Sequence, residues 1–103
     1  MGMTAEQVSF VQLNTSAIAD SVSGTTATFT GRTFATPPAD FPSIRKSDFK
    51  VFLNNRRIPN TQVSSIVQNG SDIVVNINVA TFLDIPGAVF ESDDEVLLVG
   101  KFS

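Results

Sequence analysis

Hydrophobic and polar positions alternate most regularly in the second half of the chain. Phe49, Val51 and Leu53 alternate with Lys50, Phe52 and Asn54, a period of two that sends successive side chains to opposite faces of a strand. Asn54 and Asn55 stand where a two-residue hairpin turn belongs, because asparagine tolerates positive φ better than any residue but glycine. Arg56, Arg57 and Ile58 are predicted to return antiparallel. Further on, Ile73, Val75, Ile77 and Val79 share one face, while Asn76 and Asn78 share the other, with Val74 the exception. Asn69-Gly70, just before this run, is the strongest short hairpin signal in the sequence. Residues 63–67 and 72–79 are therefore predicted to pair. From Val96 to Phe102 the pattern is apolar on both faces: Val96, Leu98 and Phe102 point one way, Leu97 and Val99 the other. Such a strand is either central in a sandwich or covered by a partner.

The first half is less regular. Residues 7–13 read as a strand with Val11 and Leu13 on one face, Val8 and Phe10 on the other. Residues 14–25, rich in Ser, Thr and Asn, read as a loop with one helical turn around Ala17–Ala19. Residues 26–34 read as a strand whose Thr26, Thr28 and Thr30 line the wet face opposite Ala27 and Phe29. Residues 35–47 hold three prolines within six positions, which excludes a helix interior and a central strand. This segment is expected to be an extended loop or arm. Its Phe41 and Ile44 either fold back on their own domain or dock into a neighbouring subunit. Residues 80–90, stopped by Pro86-Gly87, make an apolar connection expected to lie across one open end of the core. The sum is about seven short strands, an all-β chain of the small antiparallel β-sandwich or partly open barrel type, with a Pro-rich extended arm.

Composition narrows the function more than the fold. The 103 residues form a single domain, 1–103. His, Cys, Trp and Tyr are absent, and all nine aromatics are Phe. The commonest general base and metal ligand are thus missing, as are the thiol nucleophile, disulfides and Cys-based zinc sites. Sugar platforms, which lean on Tyr and Trp, are disfavoured. A net charge of −3 disfavours nucleic acid and anionic membrane as partners. No signal peptide or membrane-length apolar run is visible, so the expectation is a soluble protein made in a cytoplasm.

Candidate chemistry is sparse. Glu91, Asp93, Asp94 and Glu95 form an acidic turn. Clustered carboxylates can bind calcium, but the spacing is not that of an EF-hand, and a solvated turn before a hydrophobic strand is the plainer account. Arg45, Lys46, Lys50, Arg56 and Arg57 concentrate the positive charge and read best as a solvated face or as ion-pair partners across an interface. A nucleophilic serine lacks its histidine. No catalytic, cofactor-binding or metal residues are assigned, and the expectation is a protein that is not an enzyme.

Residues 48–102 also carry a resemblance. Phe49 to Ile58, the Asn69-Gly70 turn, the Asp72–Val79 strand and the closing Glu91–Val99 stretch resemble a β-module of tailed-bacteriophage virion proteins. That module occurs in tail-fibre, whisker, neck and capsid-decoration components. It usually has Asn-Gly where this chain has Asn54-Asn55, and Gly-Asp where it has Asp93-Asp94. The resemblance implies a non-enzymatic structural protein of the virion, synthesised in the host cytoplasm. It would bind other virion subunits as capsid decoration or as a neck, tail or fibre component, as a homo-oligomer or within a symmetric assembly. The contact residues expected on this reading are Phe41 and Ile44 of the arm, Phe52 on the face away from the core, and Arg56 and Arg57 at the hairpin end. The alternative is a soluble β-sandwich binding module for a glycan or peptide.

Overall fold

The structure is a computed structural model that describes residues 14–37, 39–40 and 43–103. It is an all-β sandwich of two four-stranded antiparallel sheets. The strands are β1 (Thr15–Ile18), β2 (Ser21–Ser23), β3 (Thr26–Thr30), β4 (Phe49–Leu53), β5 (Arg56–Ile58), β6 (Val63–Asn69), β7 (Asp72–Ile77) and β8 (Val96–Gly100). One sheet has the order β1-β8-β4-β5 and the other β2-β3-β7-β6. A five-residue helix, α1 (Val79–Leu83), follows β7.

Both predicted hairpins form. Phe52 pairs with Arg57 and Leu53 with Arg56 across the Asn54-Asn55 turn, whose φ angles of 50° and 70° are both positive. A two-residue turn of this hand matches the right-handed twist of its flanking strands. The β6–β7 hairpin closes with Asn69 opposite Asp72. A shift in register between Val63 and Ser65 leaves Ser64 as an extra residue on β6, a β-bulge.

The core fills the space between the sheets and follows the alternation. Val51, Ile58, Val96 and Leu98 from one sheet meet Ala27, Phe29, Ile73, Val75 and Ile77 from the other, all with no solvent exposure. Each of these side chains larger than Ala27 contributes about 1.5–3 kcal/mol by leaving water. Phe34, Phe49 and Phe102 extend this core. The Phe34 and Phe49 ring centres lie 5.3 Å apart, and those of Phe49 and Phe102 6.2 Å apart. Phe49 lies against Gly100, its cross-strand partner, where there is no side chain to displace it.

Several expectations change. The predicted strand at 7–13 lies outside the described residues. The loop expected at 14–25 instead holds β1 and β2, each paired with one strand among the described residues. The strand expected at 26–34 stops at Thr30, because Gly31 turns the chain with φ of 70°. Phe34 then bridges to Phe102, beyond the end of β8 in the other sheet. Gln68 fixes this crossing: its Oε1 accepts the Phe34 N–H at 2.7 Å, and its Nε2 donates to the Arg32 carbonyl at 2.9 Å. The strand expected at 72–79 ends at Ile77. The Asn78 side chain accepts the Thr81 N–H at 3.3 Å and caps α1. The 80–90 connection does cover an end of the core, with Phe90 buried and Phe82, Leu83 and Ala88 packed against it.

Candidate functional site

Strand register defines what each sheet shows to solvent. In the β1-β8-β4-β5 sheet, the even-numbered residues of β4 and the odd-numbered residues of β8 point away from the core. Ile18 pairs with Leu97, Leu97 with Phe52, and Phe52 with Arg57. A row of three hydrophobic residues therefore crosses three adjacent strands on the outer face and ends at a guanidinium. Beside it, Ser16 pairs with Val99 and Val99 with Lys50. Ile18 is 54% exposed; Phe52, Leu97 and Val99 are half-buried by their neighbours.

The outer face of the other sheet is different in kind. Its corresponding rows are Ser23, Thr26, Asn76 and Ser65, then Ser21, Thr28, Val74 and Val67. Asn76 lies within 3.5 Å of both Thr25 Oγ1 and Thr26 Oγ1, accepting from the first and donating to the second. This face is mostly hydroxyl and amide, with Val67 and Val74 the apolar pair. The apolar outer face belongs to one sheet, built from strands that contain no carboxylate.

The predicted contact residues separate. Phe52 and Arg57 lie together on that outer face. Arg56, on the same edge strand, is turned the other way, and its guanidinium sits 4.9 Å over the Phe82 ring of α1. Ile44 packs half-buried against the core, so it folds back on its own domain. Phe41 lies outside the described residues. The basic cluster is likewise dispersed: Lys46 Nζ donates to the Val63 carbonyl at 2.8 Å, while Lys50 remains on the outer face beside Val99. Ile18 was missed by the sequence reading because its strand was not recognised. Its apolar neighbours Ala17 and Ala19 gave it the look of a helical turn.

A second surface lies at the end of the sandwich that carries the β4–β5 turn. An open groove of about 550 Å³ is lined by Leu53, Leu83, Ile85 and Val89, with Glu91 and Asp94 at its edge. The carboxylates of Glu91, Asp93 and Asp94 lie within 4.8 Å of one another. Asp94 is already engaged: one oxygen accepts the Glu91 N–H at 2.8 Å, the other the Asn54 amide at 3.0 Å. Those bonds fasten the acidic turn to the hairpin and account for the position of Asp94 without a metal ion. No family model, curated protein or solved structure matches the chain.

Proposed function

We propose that the chain is a non-enzymatic structural subunit of a bacteriophage virion that binds other subunits through the outer face of the β1-β8-β4-β5 sheet. The observation that carries the assembly role is the Ile18–Leu97–Phe52 row. Contiguous apolar surface rimmed by polar groups, here Lys50 and Arg57, is the kind that marks an interaction site. The virion setting rests on the resemblance of residues 48–102 to the phage module, and it spans capsid decoration, neck, tail and fibre positions. A chain without His or Cys suits a role that needs shape and adhesion, not proton transfer.

Light scattering over a concentration series tests the assembly role. Wild type is expected to associate, as is a Val67→Ser variant altered on the opposite sheet. Phe52→Ser/Leu97→Ser is expected to stay monomeric with its fold intact. A wild-type chain that stays monomeric and binds an immobilised glycan or peptide overturns the reading.

The groove favours one second reading, a peptide-binding module. Its apolar floor and carboxylate edge would suit an apolar segment carrying a lysine or arginine.

A further inference from the structure

The groove beside the β4–β5 turn is a hollow with a fixed wall. Residues 84–91, between α1 and the acidic turn, form that wall without making a strand. Three backbone bonds pin it: the Ile85 N–H donates to the Ala80 carbonyl at 3.0 Å, the Ala88 N–H to the Ile85 carbonyl at 3.1 Å and the Phe90 N–H to the Gly24 carbonyl at 2.8 Å. Ile85 and Val89 are nevertheless 54% and 51% exposed, and they line the same hollow as Leu53 and Leu83. Apolar side chains held in place around a concave surface, with a few polar groups at its edge, are the usual lining of a binding site. The charge beside the hollow has one sign. Residues 84–95 carry Asp84, Glu91, Asp93, Asp94 and Glu95 and no lysine or arginine, so this segment alone is more negative than the whole chain, whose net charge is −3. Asp94 is committed to Asn54 and to the Glu91 N–H. The neighbouring carboxylates of Glu91 and Asp93 accept no hydrogen bond among the described residues, and they lie within 4.8 Å of one another. An apolar wall beside such carboxylates concentrates their field on a cation.

We infer that the groove docks an extended peptide segment in which bulky apolar residues stand next to a lysine or arginine. The apolar side chains fill the hollow between Leu53, Leu83, Ile85 and Val89, and the cation rests between Glu91 and Asp93. This deepens the peptide-binding reading of the groove and rests on it. Burial in the hollow supplies the affinity, and the carboxylates set the orientation and turn away acidic segments. Asp94 has a different part: its bonds to Asn54 and Glu91 hold the acidic turn at the mouth of the hollow. Ile18, Leu97 and Phe52 do not line the groove, so one chain has room for this contact and for assembly through the outer face.

Fluorescence anisotropy with dye-labelled, end-capped peptides tests this. Three probes share a Gly/Ser frame and differ in their centres: Leu-Leu-Arg-Arg, Leu-Leu-Glu-Glu and Ser-Ser-Arg-Arg. The first is expected to bind, and each of the others to bind at least about ten-fold more weakly. Glu91→Gln/Asp93→Asn is expected to weaken the first probe about five-fold or more and to flatten its salt dependence. Ile85→Ser/Val89→Ser is expected to weaken it about ten-fold or more. All four positions are exposed, and melting curves confirm that both variants fold. Phe52→Ser/Leu97→Ser is expected to bind the first probe as wild type does. If Glu91→Gln/Asp93→Asn leaves the binding of Leu-Leu-Arg-Arg unchanged, the cation pairing is overturned while the groove remains a peptide site. If Ser-Ser-Arg-Arg binds as tightly as Leu-Leu-Arg-Arg, the surface merely attracts basic chains and the docking mode is overturned. If no probe binds, or Ile85→Ser/Val89→Ser binds the first probe as wild type does, the peptide-binding reading of the groove is itself lost.

Discussion

The guanidinium of Arg56 lies 4.9 Å from the centre of the Phe82 ring, which straps the three-residue edge strand β5 to helix α1. An edge strand this short has few backbone bonds of its own, so a side-chain strap to a neighbouring element matters. Arg56→Ala is expected to lower stability by about 0.5–1 kcal/mol, while Arg57→Ala, on the open face, changes it by less than about 0.5 kcal/mol. Urea unfolding of the two variants side by side checks the contrast. Equal losses would mean that the ring contact contributes nothing.

Gly100 is required by Phe49. A Cβ at position 100 would collide with the Phe49 ring and approach the Asp48 carbonyl to 2.8 Å. Both the ring and the Asp48 carbonyl, in the turn before β4, would have to shift, and the ring is held between Phe34 and Phe102. Gly100→Ala is expected to cost about 1–3 kcal/mol by overpacking. In a double-mutant cycle with Phe49→Leu, the two losses are expected to sum to more than that of the double variant. Strict additivity in thermal unfolding would show that the two positions do not compete for space.

The two residues of the β4–β5 turn are not equivalent. Asn54 and Asn55 both have positive φ, but Asn54 also accepts the Glu95 N–H at 2.9 Å and donates to Asp94 at 3.0 Å. Asn55→Gly relieves backbone strain and is expected to leave stability unchanged or to raise it by a few tenths of a kcal/mol. Asn54→Gly gains the same relief but loses both side-chain bonds, for a net cost of about 1 kcal/mol. Chemical denaturation that ranks the two variants in the reverse order would remove the anchoring role of Asn54.

What the sequence made legible was the part in which period and turn chemistry agree. Phe49, Val51 and Leu53 beside Asn54-Asn55, and Ile73, Val75 and Ile77 behind Asn69-Gly70, specify strands, faces and register together. β1 and β2 carried no such signal. Of the four residues of β1 only Ala17 is buried, and β2 is two serines around Val22. These strands exist because β8 and β3 offer them a paired edge, a tertiary cause that no local window holds. The outer face was half legible. Phe52, Leu97 and Val99 showed their off-core parity, while Ile18 stayed hidden with its strand. The separation of Arg56 from Arg57 depends on Phe82, far along the chain and on a helix that the strand pattern through Val79 concealed.

The position of β8 gives the chain an order of events. The β2-β3-β7-β6 sheet has all its strands once synthesis reaches Ile77, whereas β1 and the β4–β5 hairpin have nothing between them until Val96–Gly100 emerges. Loop-closure entropy for joining them is recovered only when that strand slots in. The nascent protein is thus a finished sheet carrying two loose pieces of another. The last of the described strands is the keystone of the first sheet, and its arrival also creates the outward Leu97 and Val99 surface. The same five residues join the first sheet and form part of its outer surface, so that surface does not exist before they are in place.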